Sequence, residues 1–534
     1  MSIIAWLETL LARGGARPQN APAGVPTAQR AVPEKDTQGV PRAAFDAGLA
    51  AYAAQEYSTA IDSFKLVLGN AHDDADAHNN LGLSYLGLGS AEDAMDSFVL
   101  ALHFRPQFPQ AIYNMALAAH QLGNMEQVVA SLAHAIELRP DFTAAHSTLG
   151  YLLGHELGEF EIGAAHIRKA LVLSPADPDV RCNYSAVLTQ EGRAGEALAI
   201  CDELLAMHPA MHEARLNRSL ALLKCGRFAE AWPEYEARKV ARGNYVPRAL
   251  PLPEWQGQRL RDRKLLVYAE QGLGDQIMFA SCLPDLLREA GHCVIECASQ
   301  LVPVFRRSFP AATIESQARG DAGLTRLAQS SRLEYQVAIG SLPGYFRKNE
   351  SDFPRHTGYL RAEPARVEYW KHRLQALGPG LKIGVSWSGG APATGRESRS
   401  LRLAEWSPIL QQPACSFVSL QYGKAGGELH AVSQQLQVDI HDWREAIESY
   451  AETAALVAAL DLVISVQTAL VHLTGALGKP AWVMLRAASE WRYLEHANAM
   501  PWYPSVRLLR QRHPGDWQHV VARVAQDLAQ LARR

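Results

Sequence analysis

Residues 77–106 read AHNNLGLSYLGLGSAEDAMDSFVLALHFRP. The stretch holds a small residue at Gly82, a second at Ala94, a large one at Phe98, and a proline at Pro106. Outward from it, each feature recurs. The first small position is filled by Gly48, Gly82, Ala116, Gly150, Ser185 and Ser219, at steps of 34, 34, 34, 35 and 34. The second, small or compact, is filled by Ala60, Ala94, Val128, Gly163, Ala197 and Ala231, at steps of 34, 34, 35, 34 and 34. Large residues follow this second series by four, at Phe64, Phe98, Leu132, Ile167, Cys201 and Tyr235. Pro106, Pro140, Pro175 and Pro209 close four of the units, and the single extra residue falls between Gly150 and Gly163, near GHELGEF (154–160).

Two small positions in step let the two helices of one unit pack closely, and the proline stops the second helix. The pattern resembles the tetratricopeptide repeat, best matched by Leu81-Gly82, Tyr85, Ala94, Phe98, Ala101 and Pro106. Six repeats over about residues 41–245 imply a stacked superhelix with a concave groove. Asn80, Asn114, Asn183 and Asn217 share one place on the first helix, two residues before the small position; Asp46 and Thr148 fill it in the other two repeats. A carboxamide offers donor and acceptor together, which suits the backbone of an extended peptide. This ladder resembles the peptide-holding groove of the O-GlcNAc transferase superhelix, although asparagine is frequent at this place in tetratricopeptide repeats generally.

The chain has 534 residues, 48% apolar and 20% charged, with a net charge of −3. That composition is ordinary for a globular protein of roughly three or four domains. The near-neutral balance excludes a basic nucleic-acid-coating protein and leaves no nucleic-acid partner expected. No stretch of about 18 uncharged apolar residues occurs, so no transmembrane segment is expected. The N-terminus, MSIIAWLETLLARGG, carries Glu8 and lacks a basic start, which argues against a secretory signal. Residues 13–40 are rich in Pro, Gly, Ala and Gln, and the first 40 residues are expected to form a disordered tail and linker. Seven cysteines without a CxxC pair read as reduced, mostly buried thiols of a cytoplasmic protein.

After about residue 250 the 34-residue period stops, near Trp255 and the charged segment 258–264. Apolar strands now alternate with helices. LLVYAE (265–270), HCVIECAS (292–299), KIGVSW (382–387), SFVSLQ (416–421), DLVIS (461–465) and AWVML (481–485) are expected strands. Asp275–Ala290, Ser449–Ala459 and Ala469–Leu477 are expected helices. Buried strands separated by helices argue for parallel sheets. Two such sets suggest two Rossmann-like halves, 250–370 and 371–534, with a hinge near 362–380 and an amphipathic helix, Trp517–Leu531, able to pack across both.

Three places carry candidate chemistry. Gly272-Leu273-Gly274-Asp275-Gln276 lies between the first strand and its helix, where glycine permits positive φ and close ligand approach. A dinucleotide fingerprint would need glycine at position 277, which is Ile277. Asp275 is either a general base at a strand's C-terminal end or simply a helix N-cap. Ser465-Val466-Gln467-Thr468-Ala469, then His472, again ends a strand and opens a helix. Thr468 and the first N–H groups can hold a diphosphate, and His472, one turn on, either reaches it or is a satisfied core residue. GVSWSGG (384–390) is followed by a loop with Arg396, Arg399, Ser400 and Arg402, whose guanidinium forks suit phosphate or simply stay solvated. No HExxH or zinc-like Cys/His spacing is present, so neither a metal nor a cofactor is expected.

Together GLGDQIMFASCLPDL and ISVQTALVHLTGALGKPAWVML, with SWSGG, RSL, SLQ, SYAETAALVAALDLVIS, EWRYLE and MPWYPSVRLLRQ, resemble the heptosyltransferase-like glycosyltransferases of family 9, joined here to tetratricopeptide repeats. The resemblance implies an α plus α/β architecture: a repeat superhelix followed by a metal-independent GT-B fold binding a nucleotide-sugar donor. It assigns Asp275 as the base that deprotonates the acceptor hydroxyl, with inversion at the sugar carbon. It assigns Gly272, Gly274, Gln276, Gln467, Thr468 and His472 to the donor side, with Ser386, Ser388 and Arg399 facing them and Gln421 near the nucleotide. Gln467 stands where the family usually has aspartate, Glu452 replaces another aspartate, and the family's lysine after the first strand of the second half is not evident. The resulting expectation is a glycosyltransferase acting on the Ser or Thr of a protein held by the repeats. The alternatives are transfer to a lipid-linked or surface polysaccharide, with the repeats recruiting a partner, and a non-catalytic scaffold. Self-association as a homo-oligomer is compatible with each.

Overall fold

The computed structural model describes residues 40–157, 159–241, 250–317, 321–389, 396, 398–423 and 425–533. The tail expected over the first 40 residues lies, but for the last of them, outside these. The chain divides into two compact units, one reaching Val187 and the next beginning at Leu188.

Helices run Val40–Ala53 (α1), Tyr57–Asn70 (α2), Ala75–Gly87 (α3), Ala91–Phe104 (α4), Pro109–Gln121 (α5), Met125–Leu138 (α6), Thr143–Tyr151 (α7), Phe160–Leu173 (α8), Pro178–Gln190 (α9), Ala194–Met207 (α10), His212–Lys224 (α11) and Phe228–Tyr235 (α12). The first unit holds α1 to α8 and most of α9. Its repeat has a direct steric cause. A Cβ on Gly48 would stand 2.8 Å from the ring of Phe64, and one on Gly82 would stand 2.6 Å from that of Phe98. The missing side chain is the socket for the large residue of the second helix, and Ala60, Phe64, Ala94 and Phe98 are fully buried there. The extra residue of the fourth repeat is absorbed by a π turn over Leu152–Glu156 that continues α7. Here backbone packs on backbone: a Cβ on Gly163 would lie 2.6 Å from Gly154 N and 2.7 Å from Gly150 O.

In the second unit the strands are Lys264–Tyr268 (β1), His292–Cys297 (β2), Thr313–Ser316 (β3), Tyr335–Ala338 (β4), Leu381–Ser386 (β5), Cys415–Ser419 (β6), Ile440–His441 (β7), Leu462–Val466 (β8), Ala481–Leu485 (β9), Ala499–Met500 (β10) and Tyr503–Arg510 (β11). They form a four-stranded sheet, β3-β2-β1-β4, and a seven-stranded sheet, β10-β11-β9-β8-β5-β6-β7. All neighbours pair in parallel except β10 with β11. Central strands such as β8 are buried throughout, which is why they read as unbroken apolar runs. The short β3, β4, β7 and β10, and the half-polar β11, have no such run and escape a reading by hydropathy.

Three expectations shift. The helix expected over Asp275–Ala290 is broken into Leu273–Phe279, a 3-10 turn and Leu283–Glu289, with Pro284 in the first turn of the last piece. The expected hinge is largely a helix, Pro364–Gln375, docked on the second sheet's Tyr450–Ala459 helix; Arg366 Nε and Trp370 Nε1 both donate to Glu452, at 2.9 and 3.0 Å. The Trp517–Leu531 helix forms as expected, but it buries Val520, Val521, Val524 and Leu528 against Trp406, Ile409 and Leu410 of the second half rather than packing across both.

The last helix pair belongs to this second unit. Trp232 of α12 donates from Nε1 to Arg347 O at 2.7 Å, and its ring meets those of Phe228, Trp491 and Trp502. The turn after α12 places Arg238 on Glu270, with the Arg238 Nη2 also 2.8 Å from Ser341 Oγ. Among the described residues all seven cysteines are free thiols, and no helix is long and apolar enough to cross a membrane.

Candidate functional site

Parallel sheets expose their ligand sites past the C-terminal ends of strands, where chain order reverses. In the larger sheet the chain runs outward from β5 through β6 to β7, returns to β8 on the other side of β5, and proceeds to β9. The reversal falls between β5 and β8, where Ser386 and Ser465 are register partners. The segments leaving these two strands carry Ser388 and Gly389 on one side, Gln467 and Thr468 on the other. They touch: a Cβ added to Gly389 would collide with Thr468 Cγ2.

The first sheet contributes the loop after β1. Gly272 is the N-cap of the Leu273–Phe279 helix, at φ −65°, so its backbone does not require glycine. Gly274 is small for a different reason. A Cβ there would stand 3.1 Å from His472 Cδ2 and 3.5 Å from Ala469 Cα, so the loop lies directly against the start of the Ala469–Ala476 helix. Asp275 is not a cap. Its carboxylate receives Arg492 Nε at 2.8 Å.

Arg492 is the centre of a charge cluster that the sequence reading missed. Its Nη1 donates to Glu490 Oε2 at 2.5 Å, and Glu490 Oε1 receives Arg399 Nη1 at 2.9 Å. Burial opposes charge on Glu490, but Arg492, Arg399 and Arg486 outweigh it and hold its carboxyl below the usual range. Burial also lowers Arg486 to about 10, partly offset by Glu490. Three guanidiniums around two carboxylates leave one net positive charge in the group Asp275, Glu490, Arg399, Arg486 and Arg492. That is an environment for an anion. The available signal was positional: Arg486 follows β9 directly, at a strand end of the kind already singled out after β1 and β8.

His472 is buried beside the cluster. Desolvation, reinforced by Arg492, lowers its pKa to about 3, so the ring is neutral at physiological pH. Its Nδ1 lies 3.2 Å from the Tyr503 hydroxyl, which is 3.4 Å from that of Tyr359, and Tyr359 donates to Ile277 O at 2.6 Å. His472 is therefore a neutral bridging group, not a second cation for phosphate. Thr468 caps the Ala469–Ala476 helix by position only; its Oγ1 lies 3.3 Å from Ser465 Oγ and makes no bond to the helix N–H groups.

Three residues expected on the donor side are internal instead. Gln421 accepts at Oε1 from Ser386 Oγ, Trp387 N and Ser388 N, at 3.2, 3.0 and 3.0 Å, and donates from Nε2 to Ser388 O at 2.7 Å. It shapes the β5 loop and takes Ser386 with it. Gln276 is used up in the same way, donating to Gln271 O at 2.7 Å and accepting from Ala298 N at 2.8 Å. The Ser388 hydroxyl accepts from Arg396 Nε at 3.2 Å.

In the first unit the asparagine ladder is inside the packing. Asn80 Nδ2 donates to Asp76 O at 2.8 Å, Asn114 Nδ2 to Asn79 Oδ1 at 2.8 Å, and Asn183 Nδ2 to Ser147 Oγ at 3.1 Å. All three are buried, and the latter two stitch first helices of successive repeats. Asn217 lies on α11, in the second unit. Elsewhere in that unit a cavity of about 420 Å³, lined by Asp285, Arg288, His356, Tyr359 and Arg361 among others, holds none of the candidate site residues.

The tetratricopeptide repeat family matches residues 45–112 and 190–247, and a second tetratricopeptide repeat description matches 109–142. A thermophilic TPR protein of Thermus thermophilus is 24% identical, over 34% of this chain and 99% of its own, with a TM-score of 0.31. A tetratricopeptide repeat protein from Parabacteroides merdae is 16% identical over 38% of this chain and 80% of its own, with a TM-score of 0.32. Protein FlbA of Caulobacter vibrioides is 33% identical over 403 residues, 72% of this chain and 67% of FlbA. That share is larger than the repeats alone can supply, so the likeness extends into the α/β body. The chain is a tetratricopeptide-repeat protein with a parallel-sheet body, and it belongs to the family of Protein FlbA.

Proposed function

We propose that the α/β body is a GT-B glycosyltransferase that takes a nucleotide-sugar donor, and that the tetratricopeptide repeats bring it a protein acceptor. The observation that carries the reading is the meeting of Gly274 and Asp275 from the first sheet with His472, Arg399, Arg486 and Arg492 from the second, around a surplus of positive charge. A nucleoside diphosphate is the anion that suits such a place. Its oxygens would compete with Asp275 and Glu490 for Arg492, which reaches both carboxylates. An acceptor hydroxyl would then attack the anomeric carbon as the bond to the diphosphate breaks. Its proton would pass to Asp275, and the charge left on the leaving diphosphate would be stabilised by the arginines.

Nucleotide-dependent thermal stabilisation and intact-mass analysis of a co-purified acceptor test this. A shift with one of UDP, GDP, ADP or CMP, and a sugar-sized mass gain on the acceptor that needs Asp275, is the expected result. A shift without protein modification moves the acceptor to a glycan. A second reading, a scaffold without turnover, draws on the engagement of Asp275 by Arg492 and on the neutral Gln467; it predicts neither a shift nor a mass gain.

A further inference from the structure

Gln467 is 2% exposed, yet among the described residues neither its Nε2 nor its Oε1 has a hydrogen-bond partner. A buried carboxamide with both ends idle is costly, and native structures rarely keep one without a use. The contrast with Gln421 and Gln276 is sharp, since both of those amides are satisfied at each end. Gln467 leaves β8 at the point where chain order reverses, one residue before Thr468, the N-cap of the Ala469–Ala476 helix. The β5 loop is held against this turn by the close approach of Gly389 to Thr468.

We propose that Gln467 is a specificity-determining residue that reads a pair of neighbouring hydroxyls on a sugar ring next to the diphosphate. The inference rests on the glycosyltransferase reading. One hydroxyl donates to Oε1, and the oxygen of its neighbour accepts from Nε2. A carboxylate in this place could only accept, and it would repel the diphosphate beside it; the amide does both jobs without charge. Two rings carry such a pair, the transferred sugar and the ribose of the nucleotide.

The test uses the full chain, with UDP, GDP, ADP and their hexose conjugates as probes, in calorimetric titration and thermal unfolding. Gln467→Met keeps the length and removes both polar ends. It is expected to raise the melting temperature of the ligand-free protein, because an unpaired buried group has gone, and to weaken the conjugate that binds wild type by about 10-fold or more. Weakening of the conjugate alone assigns the transferred sugar; equal weakening of the free diphosphate assigns the ribose. Gln467→Glu, which keeps size but loses the donor, is expected to weaken the same probe. A lower melting temperature in ligand-free Gln467→Met, or unchanged affinity in both variants, overturns the assignment of Gln467. Failure of wild type to bind any probe overturns the donor-site reading itself, and this assignment with it.

Discussion

Arg492 Nε donates to Asp275 Oδ1 at 2.8 Å, joining two residues 217 positions apart and tying the loop after β1 to the segment after β9. Both side chains are mostly buried, at 16% and 19% exposure. Removing one partner of such a pair leaves the other charge stranded, at a cost of about 3 kcal/mol or more. Arg492→Met is therefore expected to lower stability by that order in chemical denaturation and to abolish nucleotide-dependent stabilisation.

Asp275→Ala removes the proposed base and one of the two carboxylates on Arg492, leaving Glu490 as its partner. Transfer to an acceptor, followed by intact mass, is expected to fall by about 100-fold or more. Nucleotide binding is expected to survive, and to tighten if Arg492 turns to the diphosphate. Equal transfer rates in both proteins would overturn the proposed catalytic role of Asp275.

The last repeat is part of the α/β body in packing terms. Trp232 is 3% exposed among Phe228, Trp491 and Trp502. Trp232→Ala is expected to cost about 3–5 kcal/mol. A chain cut at residue 250, which loses α12 and Arg238, is expected to aggregate, whereas one starting near residue 188 folds. Melting curves and limited proteolysis of the two truncations check this.

His472 sets an acid limit. Its pKa falls from 6.5 to about 3 on folding, so below pH 6.5 the unfolded chain takes up a proton that the folded chain refuses. The stability linked to this group is complete above pH 6.5 and is lost as pH falls toward 3, at up to about 1.4 kcal/mol per pH unit. His472→Gln is expected to show a shallower decline than wild type across that window in urea titrations at stepped pH.

Gly389→Ala places a methyl against Thr468 Cγ2, where no room exists. Over-packing of this kind costs about 1–3 kcal/mol unless the loop moves away. The expected result is a modest fall in melting temperature together with loss of the nucleotide-dependent shift. An unchanged shift would show that the β5 loop does not take part in binding.

The repeats were legible in the sequence because their cause is local and periodic. A glycine on one helix, Gly48 or Gly82, is the socket for Phe64 or Phe98 on the next, and that spacing survives in the letters alone. The central strands were legible because burial on both faces demands unbroken apolar runs. The strand ends after β1 and β8, with Asp275, Thr468 and His472, followed from the same rule. What the letters could not carry was side-chain pairing across the fold. Gln276, Gln421 and Gln467 look alike in sequence, yet two are saturated by loops from other strands and one is left with both ends idle. Likewise, Glu490 and Arg492 are ordinary surface-like charges in a row of residues. Glu490 becomes the counterpart of Arg399 only because β5 and β9 end on one side of one sheet, and Arg492 that of Asp275 only because the two sheets bring their strand ends together. Burial then strengthens each charge's dependence on its neighbours, so the tertiary arrangement decides which polar groups hold the fold and which remain available to a ligand.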